Sequence, residues 1–135
     1  SVSLPTRRSR VRTPLPAPNS IMSDLIKKKC VPCEGGILPF DISEIHKYQK
    51  KVDGWDVLNN EKKIFFLFKK FDFKNFLDSQ EFINKVGIIS EDEGHHPDIT
   101  FGWGYAEIKI TTHAIEGLSE NDFILAAKID HLTNV

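Results

Sequence analysis

Apolar and polar positions follow two different periods along this chain, and the changes of period divide it into elements. Asp41 and Glu44 stand at capping-box spacing, and Ile42, Ile45, Tyr48 and Val52 then fall near one face of a helix. Gly54 ends that pattern. Trp55 and Val57 start a short strand, and Asn59-Asn60 supplies a turn. Ile64 to Phe68 is apolar on both parities, which predicts a central strand covered on both faces. Phe71, Phe73 and Phe76 follow. A second helix is predicted from about Asn75 to about Asp92, with Phe82, Ile83, Val86 and Ile89 as its apolar stripe. Gly94 and Pro97 bracket its end.

After Pro97 the period becomes two. Ile99, Phe101, Trp103 and Tyr105 share one parity, and Ile108 and Ile110 lie on the other. The switch reads as two strands joined by a turn near Gly104 to Glu107. A last helix opens at Ser119, with Asp122 three residues on, and continues through Phe123, Ala126, Ala127 and Asp130. The order is αββαββα. Short strand-to-strand links imply an antiparallel sheet, so the class is α+β: a four-stranded antiparallel sheet with three helices packed on one face.

Composition narrows the picture. The chain has 135 residues, 40% hydrophobic and 27% charged, enough for one domain with its own core. A net charge of −1 argues against a general nucleic-acid binder and against a polybasic membrane-surface protein. No apolar run exceeds the five residues of Ile64 to Phe68, far too short for a membrane span. Two cysteines cannot form a secreted disulfide framework. These features point to a small intracellular protein.

Residues 1–20 differ from the rest. They hold Arg7, Arg8, Arg10 and Arg12, no acid, and four of the seven prolines. Their composition predicts disorder, and residues 1–21 read as a basic, Pro-rich leader ahead of a single domain over 22–135. An expression leader is favoured over a targeting remnant or a nucleic-acid arm, because the prolines spoil an amphipathic presequence helix.

Candidate chemistry concentrates late in the chain. His95 and His96 follow the second helix, and His113 ends the fourth strand. An antiparallel pair brings those two ends together, beside Glu91, Asp92, Glu93, Asp98 and Asp122. Histidines beside carboxylates suit proton transfer near neutral pH. Metal binding is disfavoured, since adjacent residues of extended chain point to opposite faces and His95 and His96 would rarely share an ion. Cys30 and Cys33 form a CxxC with neither a second ligand pair for zinc nor a βαβ context for redox work, and read as functionless thiols ahead of a zinc site shared between subunits. Most of the phenylalanines read as core. Phe101, Trp103 and Tyr105 suit either the helix-facing side of the sheet or a subunit contact. Trp55 reads first as core and second as a flat wall for a planar ligand. There is no nucleotide-binding glycine motif.

The series Glu91-x3-His95-His96-Pro97-x5-Trp103-x9-His113-x8-Asp122 resembles the signature of the pterin-4a-carbinolamine dehydratases, also known as the dimerisation cofactor of a hepatocyte homeodomain factor. Gly54-Trp55, the segment Phe71 to Phe76, Thr111-Thr112-His113 and Gly117-Leu118-Ser119-Glu120 extend the likeness, and the Cys30 to Gly36 arrangement resembles the N-terminal segment of some microbial and plant members. It covers roughly residues 30–132 and implies the same αββαββα fold, assembled as a homodimer or homotetramer. The implied reaction is loss of water from 4a-hydroxytetrahydropterin to give quinonoid dihydropterin, with no metal or organic cofactor. It serves tetrahydrobiopterin recycling beside aromatic amino-acid hydroxylases, in the cytoplasm, or in an organelle if residues 1–21 target the chain there.

By the same resemblance, His95 and His113 form the acid/base pair around the C4a hydroxyl, and His96 contacts and orients the pterin. Glu91 bonds the ring or a histidine. Backbone groups of Thr111 and Thr112 take the heterocycle edge, and Asp122 orients His113 or closes the site. Trp55 is a further candidate for substrate contact. Two departures from the family pattern stand out: Gly94, where many members carry Asp, and Asn121, where some carry Arg. The alternative reading is a non-catalytic interaction protein that stabilises a partner's dimer.

Overall fold

Caps set the helices where the sequence puts them. The structure, a computed structural model, describes residues 24–31 and 37–133. The predicted leader and Cys33 lie outside these residues. The Asp41 carboxylate accepts the Glu44 N–H at 2.9 Å and starts α1, Ile42–Gln49. Asn75 accepts the Asp78 N–H at 2.8 Å and starts α2, Phe76–Glu93. α2 ends in a Schellman arrangement: Gly94 turns left-handed at φ 65°, its N–H donates to the Glu91 carbonyl, and the His95 N–H donates to the Ser90 carbonyl at 3.1 Å. The last helix, α3, spans Glu120–Thr133. Asn121 through Ala127 are all buried, so α3 is covered on every side. It packs against both α1 and α2.

Four strands form one antiparallel sheet: β1 (Asp56–Asn59), β2 (Phe65–Asp72), β3 (Asp98–Gly102) and β4 (Tyr105–Ile110), in the order β1-β2-β4-β3. The register aligns Val57 with Leu67, Leu67 with Ile110, Phe71 with Ala106, and Ile99 with Ile108. These side chains share one face, and the core lies between that face and the helices. Phe123, fully buried, packs with Tyr48 and Phe40, and Phe71 packs with Trp55 and Phe82. Each such side chain contributes roughly 1.5–3 kcal/mol of burial.

Two expectations need correction. β2 runs on to Asp72, beyond the apolar run ending at Phe68. Lys69 interrupts the pattern yet faces the helices, because its ammonium meets the buried Asp130 carboxylate at 2.8 Å and the Asp53 carbonyl at 2.7 Å. The β3–β4 turn is Trp103-Gly104, not Gly104 to Glu107. Gly102 pairs with Tyr105, so parity switches across a two-residue loop in which Gly104 takes φ 80°. Tyr105 therefore lies on the opposite face from Phe101, and Trp103 stands 72% exposed at the tip. The Phe73 N–H donates to the Gly104 carbonyl at 2.8 Å and holds that tip in place.

Candidate active site

The hairpin β3–β4 brings the C-terminal end of α2 to the N-terminal end of α3. A cleft of about 240 Å³ opens there. His95, His96 and His113 line it together with Thr111 and Thr112. Val31 and Asn121 close another side. Its volume lies a little under the roughly 300–1,000 Å³ of pockets for drug-sized ligands, which suits a small heterocycle.

Asp122 is the anchor of the site. Its carboxylate is fully buried and accepts three hydrogen bonds: from His95 Nε2 at 2.7 Å, from Thr112 Oγ1 at 2.7 Å and from the Ser119 N–H at 2.9 Å. The last is one half of the capping box expected at the start of α3. Ser119 Oγ and Thr112 Oγ1 are also within 3.1 Å of each other. Asp122 thus bonds His95, where the resemblance implied that it orients His113 or closes the site. An acceptor-only carboxylate at Nε2 fixes the ring so that Nε2 carries a hydrogen and Nδ1 is the nitrogen left to take or give a proton.

His96 turns the other way. Its Nε2 meets Glu91 Oε2, one turn back on α2, and both side chains are exposed. The left-handed Gly94 produces this split, since the chain leaves α2 extended and successive side chains diverge. His113 is exposed at the start of a 3₁₀ turn, His113–Ile115, that returns the chain to Gly117. There the Thr112 N–H donates to the Gly117 carbonyl at 2.9 Å. Thr111 Oγ1 donates to the Phe65 carbonyl at 2.8 Å, which ties the cleft to β2. The hydroxyls of both threonines therefore hold the frame, and so does the Thr112 backbone, whose N–H and carbonyl both pair with Gly117.

The structure does not bring Trp55 to this cleft. It is 3% exposed within the core, and its indole N–H donates to both Asp130 oxygens at 3.0–3.1 Å. Among the described residues, no three His, Cys, Asp or Glu side chains are grouped to hold a metal ion. Nor is any helix of the described residues long and apolar enough to cross a membrane.

Sequence reasoning missed the pieces beside Val31. The Cys30 N–H donates to Glu93 Oε1 at 2.8 Å, and Lys128 meets Glu93 Oε2 at 2.5 Å. Burial pushes the Glu93 carboxyl up, but the bond and charge of Lys128 and the Cys30 N–H outweigh it and hold it below its ordinary value. Burial, then the neighbouring Glu93 charge, pushes the Cys30 thiol up to about 12, so it stays protonated and unreactive. No local pattern signals these contacts, because they join residues far apart in the chain.

The family model for pterin 4 alpha carbinolamine dehydratase matches residues 39–132. A protein of Rubrobacter xylanophilus, provisionally named a pterin-4-alpha-carbinolamine dehydratase, is 45% identical over 111 residues, which cover 82% of this chain and all of that one. One of Halorhodospira halophila, named in the same way, is 47% identical over 108 residues, covering 80% and 96%. Among solved structures, the transcriptional coactivator/pterin dehydratase of Brucella melitensis has a TM-score of 0.63 at 22% identity, covering 70% of this chain and 97% of that one, and so shares the fold. A pterin dehydratase-like protein, described as a RuBisCO assembly factor in the alpha-carboxysome, has a TM-score of 0.50 at 28% identity, covering 58% and 88%.

Proposed function

The chain belongs to the pterin 4 alpha carbinolamine dehydratase family, and on that premise we propose that it eliminates water from a 4a-hydroxytetrahydropterin by histidine acid/base catalysis. The observation that carries the proposal is the convergence of three histidines on one cleft, with His95 held by a fully buried carboxylate.

The reaction breaks the C4a–O bond and the N5–H bond. Hydroxide leaves as water once it has received a proton, and the electron pair of the N5–H bond forms the new C4a=N5 double bond. One acid and one base are needed, on groups that change charge near neutral pH. Histidine supplies both, and such positioned groups typically contribute about 10²–10⁴-fold. His95, through Nδ1, and His113 serve as this pair. His96, backed by Glu91, contacts the ring from the open side. Backbone groups of Thr111 take the heterocycle edge, and Thr112, paired with Gly117 through its own backbone, holds the loop that presents them. Asp122 is the positioning residue that keeps His95 in one tautomer and one orientation. No step calls for a metal or an organic cofactor.

A scaffold that only stabilised a partner's dimer would have no use for a histidine locked to a buried carboxylate at the mouth of a cleft. The two readings part in one assay. A hydroxylase generates the 4a-hydroxytetrahydropterin in situ, and its decay is followed with wild type, His95→Ala and His113→Ala. Acceleration by wild type and its loss in both variants, at unchanged circular dichroism, is the expected result. No acceleration by folded wild type refutes the enzyme reading and favours the scaffold.

A further inference from the structure

We infer that residues 28–31 are a strap forming one wall of the substrate cleft, with Val31 as the apolar contact for the pterin face and Asn121 as the residue that positions it. This rests on the dehydratase reading above and adds a specificity element to the same site.

A segment near a chain end is ordinarily loose unless something ties it down. This one is tied at every residue. The Asn121 side chain pairs with Val31 as a strand neighbour would: Oδ1 accepts the Val31 N–H at 3.0 Å, and Nδ2 donates to the Val31 carbonyl at 2.6 Å. The Cys30 N–H is held by Glu93, Lys29 by Asp92 at 3.3 Å, and Lys28 by Glu120 at 2.6 Å. Leu25, 2% exposed, plants the preceding helical turn in the core. Ordering such backbone costs conformational entropy, and hydrogen bonds to charged groups such as Glu93 offset it.

What this order holds in place is an exposed valine. Val31 is 63% exposed and lines the same cleft as the three histidines. A single exposed valine is ordinary on a protein surface. One whose backbone is clamped on both sides at the edge of a cleft is a preformed apolar wall, which is what the flat face of a heterocycle requires. Asn121 and Asp122 are successive residues of the first turn of α3: one holds the strap, and the next holds His95. The side-chain amide is what this clamp needs, since it both accepts the Val31 N–H and donates to the Val31 carbonyl.

The test measures steady-state dehydration and fluorescence titration with 7,8-dihydrobiopterin, a reduced pterin without the 4a hydroxyl, together with amide hydrogen exchange at Val31. Asn121→Ala is expected to speed Val31 exchange and to raise KM and the dihydrobiopterin Kd roughly tenfold, with kcat held within about threefold. Val31→Gly keeps the backbone clamp and is expected to weaken binding similarly. The double variant should be no weaker than the worse single one, because both act through one wall. Unchanged Kd in both variants overturns the proposal, as does a fall in kcat at constant KM. If Asn121→Ala fails to fold, Val31→Gly decides alone. Wild type that binds dihydrobiopterin without dehydrating anything would sink the reaction while leaving the strap to be judged by binding.

Discussion

Replacing Lys69 by Met should destabilise the protein by about 3 kcal/mol at pH 7 while preserving the stem that packs under α3. The Asp130 side chain is 2% exposed and that of Lys69 is 18% exposed, with 2.8 Å between the charged atoms. Removing one partner of a buried pair leaves an uncompensated charge and typically costs about 3–5 kcal/mol. The partial exposure of Lys69, and the donors that remain on Asp130 from Trp55 and the Asp53 N–H, place this pair at the lower end. For a domain of this size the loss should lower Tm by about 12 °C or more. The pH dependence follows from Asp130. Burial pushes its carboxyl above the ordinary value, and Lys69, Trp55 and the Asp53 N–H pull it back only in part. Without Lys69 it rises further. The folded variant then takes up a proton at higher pH than wild type does, so its deficit is full at neutral pH and shrinks as pH falls through that raised value. Adding Asp130→Asn should recover part of the loss at pH 7, because the unpaired charge is gone while an acceptor for Trp55 remains. Urea titrations at pH 7 and pH 4.5 measure all of this. A cost under about 1 kcal/mol at pH 7, or a deficit that grows toward acid, would refute the reasoning.

Three further outcomes are expected. Asp122→Asn should lower kcat by about 10²-fold or more, because an amide no longer enforces the His95 tautomer, and should lower stability by about 1 kcal/mol through the weakened cap; kcat and Tm on one preparation check both. Gly117→Ala should destabilise by about 1–3 kcal/mol, since its new Cβ would stand 2.6 Å from Pro39 Cβ, and thermal unfolding reads this directly. Trp55→Phe should cost about 1–2 kcal/mol in urea titration by removing a buried donor to Asp130.

Much of the fold was legible because caps and periods act locally. Asp41 and Asn75 sit within three residues of the N–H groups they accept, and α2 ends at the glycine that spacing alone suggested. β2 and the hairpin tip were misread where a distant residue changes what a local pattern means. Lys69 belongs on a core face only because Asp130 waits there, sixty-one residues on. Tyr105 continues the parity of Phe101 yet faces the other way, because the turn takes two residues. The gathering of His95, His96 and His113 followed from antiparallel pairing. The choice of His95 as the partner of Asp122 depended on which way the chain leaves Gly94, which spacing does not encode. The strap at Val31 was invisible, since each of its fastenings reaches 63 to 92 residues along the chain.

The hairpin that joins α2 to α3 has a consequence for how the molecule comes apart. The contact between His95 and Asp122 closes a loop of only 27 residues, whereas the Val31 clamp spans 90. Closure entropy favours the shorter loop, though weakly, and the β3–β4 ladder lies wholly within it. Under gentle heating or dilute denaturant the strap should thus leave before the His95–Asp122 contact, which persists with the hairpin. On the proposed dehydratase reading, such a partly loosened molecule keeps the His95–Asp122 pair and loses the wall that grips the substrate. Its decline with temperature should begin as a rising demand for substrate, well before any fall in the maximal rate.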